Sequence, residues 1–214
     1  MQNQGFIIAR EGFPWIGTSL LLTLILLILK ALLPAIFLGV LTLFIISFFR
    51  NPKRITPSQQ GLIIAPADGK ICLITDAYEK KFLKDTRCRV SIFMSPLNCH
   101  INRAPITAKV LDTYYHAGKF HLASVDKASD LNEQNALLLE DVQKNKFVVV
   151  QIAGWLCRRI VSYAKVGDEL LRGQRFGLIQ FGSRVDLYLP PQVSLKVKVG
   201  EAVRGGKTVI GTLR

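Results

Sequence analysis

A mainly β fold (α+β by class) behind an N-terminal hydrophobic helical anchor is what this sequence predicts, and three observations predict it. Residues 15–49 carry one charge, Lys30, and are otherwise almost entirely Leu, Ile, Phe, Ala and Val. From Gly61 onward the apolar runs are short, rich in β-branched residues and bounded by Gly, Pro, Asn and Asp, which is the pattern of strands. The last third contains an echo, Val166-Gly-Asp-Glu-Leu-Leu-Arg-Gly173 and Val199-Gly-Glu-Ala-Val-Arg-Gly-Gly206, each with a Gly-acid turn, an apolar residue and a second glycine. That β-turn-β rhythm is the one found in barrel-sandwich modules such as lipoyl and biotinyl domains. The expected body is therefore a compact, barrel-sandwich-like antiparallel β domain.

The anchor comes first. A continuous helix over residues 15–49 would be about 52 Å long, against about 30 Å for the hydrocarbon core of a bilayer. Lys30 and Pro34 divide it into residues 16–29 and 35–49, each short for a full crossing. A helical hairpin within residues 1–50, inserted in one face of the membrane, fits best. The stretch is too long for a cleaved signal peptide, and no small-x-small site follows it. Arg10 lies before it and Arg50, Lys53 and Arg54 after it, so both flanks of a hairpin sit on the side that the positive-inside rule makes cytoplasmic. The expected location is the cell membrane, with residues 51–214 a domain on its cytoplasmic side.

The net charge is +13. Residues 1–50 hold only Arg10, Lys30, Arg50 and Glu11, so nearly all of that charge belongs to residues 51–214. Such a surface suits nucleic acid or anionic lipid. The anchor decides for an anionic membrane surface, and the chain has neither an aromatic-rich ribonucleoprotein strand nor zinc-finger spacing, so no nucleic-acid partner is expected. Cys72, Cys88, Cys99 and Cys157 lack CxxC spacing and read as buried free thiols of a reducing compartment. His100, His116 and His121 show no zinc-ligand pattern either, and no metal is expected.

After the basic hinge Arg50-Asn-Pro-Lys-Arg54, residues 61–66, 70–75, 87–94 and 146–152 read as strands, with a turn at Ala67-Asp68-Gly69. Residues 117–143 are polar and suggest loops and a short helix. Within them, Asn132-Glu-Gln-Asn135 reads as a helix start with a first-turn acid.

Three residues carry chemistry. Ser183 follows Gly182 between two apolar runs, in Arg175-Phe-Gly-Leu-Ile-Gln-Phe-Gly-Ser-Arg-Val-Asp-Leu-Tyr-Leu-Pro190. Glycine leaves the preceding carbonyl uncrowded, and a hydroxyl held against that carbonyl can attack its own peptide bond. On composition alone a Gly-Ser pair is nearly always a turn; the surrounding sequence changes those odds. His100 lies in a proline-bounded loop, Ser95-Pro-Leu-Asn-Cys-His-Ile-Asn-Arg-Ala-Pro105, where a side chain can be fixed and still accept or donate a proton. By itself it is as easily a structural loop histidine. Asp68, in Pro66-Ala-Asp-Gly-Lys70, is turn chemistry on its own and a histidine-orienting carboxylate if His100 is near.

Taken together, these segments resemble phosphatidylserine decarboxylase proenzymes of the short bacterial and archaeal type. The matching stretches are Ala9-Arg-Glu-Gly-Phe-Pro14, Pro66-Ala-Asp-Gly69, Met94-Ser-Pro-Leu-Asn-Cys-His100, Asn102-Arg-Ala-Pro105, Asn132-Glu133 and Phe181-Gly-Ser-Arg-Val-Asp186, in the family's order over nearly the whole chain. The resemblance implies self-cleavage between Gly182 and Ser183. The products are a β chain of residues 1–182 and an α chain of residues 183–214, with Ser183 converted to a covalent pyruvoyl cofactor that replaces pyridoxal phosphate as the electron sink. It further implies a Schiff base between that group and the amine of phosphatidylserine or a related aminophospholipid, and release of CO₂ to give phosphatidylethanolamine. His100 supported by Asp68 is the expected base of maturation, and His100 the acid that reprotonates Cα.

Arg103 stands where longer relatives carry a second histidine, and Phe181-Gly-Ser-Arg184 where they carry Leu-Gly-Ser-Thr; the short type shares both differences. Arg103 and Arg184 are the candidate partners of the substrate phosphate. Two other classes compete. A membrane-fusion adaptor also joins a membrane segment to a barrel-sandwich fold, but the heptad-patterned helical hairpin of such proteins is missing from this sequence. A membrane-tethered serine protease with a Ser-Lys dyad would leave the chain whole at Ser183. A homo-oligomer is left open.

Overall fold

The computed structural model describes residues 6–118, 132–154, 159–180 and 183–213. His121, Cys157 and Gly182 lie outside the described residues. The chain divides into two units, Met1–Lys53 and Arg54–Arg214.

In the first unit a short turn, Arg10–Gly12, leads into α1 (Phe13–Ile28) and α2 (Leu32–Phe48). Lys30, at φ 56°, makes the turn between them. Pro34 does not divide the stretch as expected. It sits in the first turn of α2, where its missing N–H leaves no helical bond unmade. The base of the hairpin is tied by backbone. Ala9 N donates to Phe49 O at 2.8 Å, Asn51 N to Ile7 O at 2.6 Å, and Asn51 Nδ2 to Phe6 O at 2.8 Å. Gly12 is needed there, because a Cβ would fall 2.6 Å from the Phe49 ring. Apolar side chains face outward along both helices, with Leu33 81 % and Phe37 74 % exposed. Among the described residues Arg10–Ile28 is the one helix long and apolar enough to cross a membrane; Leu32–Phe48 is apolar but shorter.

The second unit is antiparallel β. Its strands are β1 (Leu62–Ile64), β2 (Gly69–Glu79), β3 (Asp85–Met94), β4 (Ile101–Arg103), β5 (Ala108–His116), β6 (Gln134–Glu140), β7 (Lys146–Ala153), β8 (Ile160–Ser162), β9 (Glu169–Leu170), β10 (Arg175–Ile179), β11 (Ser183–Leu189), β12 (Val193–Leu195), β13 (Ala202–Val203) and β14 (Val209–Leu213). Eight form one sheet in the order β13-β2-β3-β11-β7-β6-β5-β9, and two three-stranded sheets, β1-β14-β12 and β4-β10-β8, accompany it. The mainly antiparallel class with a helical N-terminus is the one predicted. Asn132-Glu-Gln-Asn135 departs from expectation: it leads into β6 rather than a helix, because the alternate residues Asn135, Leu137 and Leu139 all pack inward.

The echo seen in the sequence is half of an internal two-fold repeat. Ala65-Pro-Ala-Asp-Gly-Lys70 and Ala104-Pro-Ile-Thr-Ala-Lys109 occupy equivalent places. Ile64 N donates to Pro105 O while Arg103 N donates to Pro66 O, and Gly206 N meets Ala65 O as Gly173 N meets Ala104 O. β2 and β5 are both bulged at matching positions, Ile71/Leu73 and Val110/Asp112. The paired glycines have matching left-handed backbones, with φ 92° and 91° at Gly167 and Gly200 and 81° and 78° at Gly173 and Gly206. Those angles suit glycine alone among common residues, which is why the glycines are what survives of the repeat in the sequence. The repeats end in β9 and β13, the two edges of the large sheet.

β11 runs down the middle of that sheet, and its residues alternate between two faces. Val185, Leu187 and Leu189 join the main core with Val90, Ile92, Leu137, Phe147 and Val149. Tyr188 packs on the other face with Ala136, Val148, Val150 and Ile152.

Candidate active site

Ser183 is the first residue of β11. It lies opposite Met94 of β3 and Ala153 of β7, is completely buried, and faces the core. Its hydroxyl donates to Met94 Sδ at 3.4 Å.

His100 enters from the loop after β3. That loop is held by Asn98, whose Oδ1 accepts from Ser95 N at 2.8 Å and Ser95 Oγ at 2.9 Å. The imidazole is 2 % exposed, and its Nδ1 lies 3.0 Å from Asn98 O. A carbonyl oxygen only accepts, so this bond puts the proton on Nδ1 and leaves Nε2 as the basic nitrogen of the neutral ring. The His100 carbonyl in turn accepts from Ile179 N at 3.3 Å. β10 ends there, four residues before Ser183, so β4–β10 pairing ties the histidine to the segment that leads into the serine.

Asp68 is bound differently from the sequence expectation. Both carboxylate oxygens are taken by the Arg54 guanidinium, one through Nη1 and the other through Nη2 at 2.6 Å, and Gly205 N donates to Oδ1 at 2.8 Å. The internal repeat explains part of this. Thr107 is the counterpart of Asp68, and its Oγ1 accepts from Arg172 N at 3.1 Å as Asp68 accepts from Gly205 N. Bonding a turn amide is common to both halves; a carboxylate that holds an arginine is what this half adds. Arg54, counted above as a membrane flank, is therefore committed to the β unit.

A cationic cluster surrounds that pair. Arg103 in β4 lies opposite Arg175 in β10, and both are less than a tenth exposed. Arg103 Nη1 donates to Gly173 O at 2.9 Å. Burial, then the charges of Arg175 and Arg54, push the Arg103 guanidinium down to about 10. Burial also lowers Arg175. For Arg54 burial is the largest influence and works downward, but the bond to and charge of Asp68 outweigh it and raise the net value.

Arg184 does not join this cluster. It is 1 % exposed, points to the opposite face of the sheet from Ser183, and is ion-paired with Asp186 through Nε at 2.9 Å and Nη2 at 3.0 Å. Its buried carboxylate partner, not a lipid phosphate, accounts for its charge. A cavity of about 590 Å³ opens on this same outer face, lined in part by Arg89, Tyr114, Val150, Asp186 and Tyr188, and does not reach Ser183.

Residues 41–211 match the sequence model of the family described as phosphatidylserine decarboxylase. The chain belongs to that family. A protein of Geobacter metallireducens named phosphatidylserine decarboxylase proenzyme is 45 % identical over 218 residues, covering all of both chains. One of the same name from Syntrophotalea carbinolica is 47 % identical over 215 residues, again covering both in full. A third, from Ruegeria pomeroyi, is 43 % identical over 207 residues, with 95 % of this chain and 94 % of that one covered.

In this phosphatidylserine decarboxylase-family chain, sequence reasoning missed a set of buried amides on the core face beside Ser183. Asn135 Nδ2 donates to Gln151 Oε1 at 2.9 Å, and Gln151 Nε2 donates to Asn102 Oδ1 at 2.7 Å. Asn132 Nδ2 donates at 2.7 Å to the carbonyl of Ala153, the residue opposite Ser183. The signal that could have found them is Gln151, a single polar residue inside the apolar run Phe147-Val-Val-Val-Gln-Ile152. Among the described residues no three His, Cys, Asp or Glu side chains gather as a metal site would need.

Proposed function

We propose that the chain decarboxylates phosphatidylserine to phosphatidylethanolamine after cutting itself between Gly182 and Ser183. The observation that carries this reading, beside family membership, is the position of Ser183: a buried hydroxyl at the head of a central strand, with His100 bonded through its backbone to the end of the preceding strand. The cofactor would be made from Ser183 itself, so it needs no further room in the fold, and no pyridoxal phosphate or metal.

Maturation begins when Ser183 Oγ adds to the carbonyl bonded to its own nitrogen and gives up its proton to His100 Nε2. The carbon–nitrogen bond breaks, the serine nitrogen takes a proton, and the two chains are joined by an ester. Removal of the Ser183 α-proton expels the carboxylate of the β chain and leaves dehydroalanine; water then replaces the nitrogen, which departs as ammonia. The resulting pyruvoyl group, held at Ser183, would supply the electron sink that decarboxylation needs.

On this reading His100 returns a proton to the substrate carbon, and Arg103 with Arg175 holds the lipid phosphate. Asp68 acts through Arg54: its charge keeps that guanidinium in place and offsets part of the repulsion on Arg103. The helical hairpin, about 24 Å long per helix at 1.5 Å per residue, holds the enzyme at the cytoplasmic face of the cell membrane.

Intact mass and gel analysis of purified protein test the reading. Two fragments, residues 1–182 and 183–214, are expected, the smaller with a blocked N-terminus, and Ser183→Ala should remain one inactive chain. A fully active preparation that stays uncut overturns it.

A further inference from the structure

Three amides on the core face of a β sheet are costly to bury unless each is bonded, at about 1–3 kcal/mol for every polar group left unmet. Valine or leucine at Gln151 would match its neighbours in β7, where Phe147, Val149 and Ala153 face the same core. The amides are nevertheless present and run in one direction. Asn135 donates to Gln151, and Gln151 donates to Asn102, which fixes the Asn102 carbonyl toward β7 and its amide N–H bonds away from it. Those N–H bonds point at Met94 Sδ, 3.8 Å away, the same sulfur to which the Ser183 hydroxyl donates. Asn102, Gln151, Met94 and Ser183 are all completely buried. Two donors therefore converge on a thioether, which is a weak acceptor, in a fully buried place where a stronger acceptor would be held firmly.

Self-cleavage creates such an acceptor. As the Ser183 Oγ–carbon bond forms, the carbonyl electron pair moves onto oxygen and an anion appears within a bond or two of the serine side chain. We propose that Asn102 is a catalytic residue of maturation that donates a hydrogen bond to this oxygen anion, and that Gln151 and Asn135 are positioning residues that keep its amide turned the right way. The inference rests on reading Ser183 as the residue at which the chain cuts itself. The electrostatics favour it: a donor fixed in advance in a low-dielectric site needs no reorganisation as charge develops, and removing one such donor typically slows a reaction about 100- to 1,000-fold.

The test follows cleavage over time in newly synthesised full-length protein in detergent, by intact mass, with and without hydroxylamine, which cuts an ester but not an amide. Asn102→Ala should slow cleavage about 100-fold, with no hydroxylamine-sensitive ester accumulating, because the first addition is what has been impaired. Gln151→Met should slow it less, and combined with Asn102→Ala should add nothing, as expected of a residue acting through Asn102. The same substitutions in the uncleavable Ser183→Ala chain report folding through their melting temperatures. If Asn102→Ala melts, Asn102→Asp decides, since it keeps the shape and replaces the donor by an acceptor. Cleavage at the parent rate in a folded Asn102 variant overturns the proposal, and so does an accumulating ester, which would put Asn102 after the addition. Failure of the unaltered chain to cleave sinks the reading of Ser183 instead.

Discussion

Ser183 and Met94 face each other across β11 and β3, and the serine hydroxyl donates to the methionine sulfur at 3.4 Å. A thioether holds a proton donor weakly, so the proposed nucleophile is oriented without being committed to a partner that must first be broken away. The methionine serves packing more than chemistry. Met94→Leu, close in volume, should cost less than about 1.5 kcal/mol of stability and leave the extent of cleavage unchanged, as read from a denaturation curve and a gel of the purified protein.

His100→Ala should impair cleavage, turnover or both, by about 100-fold or more, the usual contribution of a general base. The two effects can be separated: time courses of chain cleavage report maturation, and CO₂ release per mole of pyruvoyl group reports turnover. A variant normal in both assays would make His100 a structural histidine.

Asp68→Ala removes both carboxylate bonds to a buried guanidinium and should destabilise the fold by about 3–5 kcal/mol, since breaking such a pair leaves one charge uncompensated. Arg54→Met in the same chain should recover most of the stability and of the rate of maturation, because the burden removed is that charge. Thermal melts and cleavage time courses of the single and double variants measure both. Stability that returns without maturation would give Asp68 a direct part in the chemistry.

Arg103 keeps its proton at a cost. Burial and the neighbouring guanidinium charges hold it at about 10, below the ordinary arginine range, so the native state carries the full penalty of the charge at neutral pH, and that penalty is relieved only as pH climbs through about 10. Arg103→Met should therefore raise the melting temperature at pH 7 by a few degrees while raising KM for the phospholipid. A lower melting temperature would mean that the bond to Gly173 O is worth more than the repulsion from Arg175 and Arg54.

Two features can hold the protein at a bilayer, the apolar hairpin and the basic surface of the β unit. The hairpin presents far more apolar area, and exposed charges are screened over about 8 Å at physiological salt. Full-length protein should stay with membranes through a high-salt wash, whereas residues 54–214 alone should bind anionic vesicles weakly and leave as salt is raised. Release of the full-length protein by salt alone would refute insertion of the hairpin.

Much of this was legible in the sequence. The hairpin, the strands around residues 61–94 and 146–152, and the glycines of the repeat are all visible, because hydrophobic period and left-handed turns are written residue by residue. The N-terminal half of the repeat was not. Its members, residues 65–70 and 104–109, share little beyond Ala-Pro and a lysine, and their equivalence lies in backbone bonds such as Ile64 N to Pro105 O. The site divides in the same way. Ser183 and His100 stand in recognisable surroundings, whereas nothing in the spacing says that Arg54 would reach Asp68, or that a strand would begin at Ser183 itself and so turn Arg184 to the other face.

β11 lies between β3 and β7, while β13 and β14, further along the same C-terminal stretch, pair with β2 and β1. On the proposed cut, the smaller chain would begin at the head of β11, with strands of the larger chain on both sides of it. Val185, Leu187, Leu189, Val197, Val203 and Ile210 pack in one core with residues of the larger piece, so the smaller could not leave without taking a central strand, β11, out of the large sheet. Topology would then impose the order of events on the proposed reaction: folding would have to be finished while the chain is still one molecule, and a separated pair of pieces would lack the connection through which it folded.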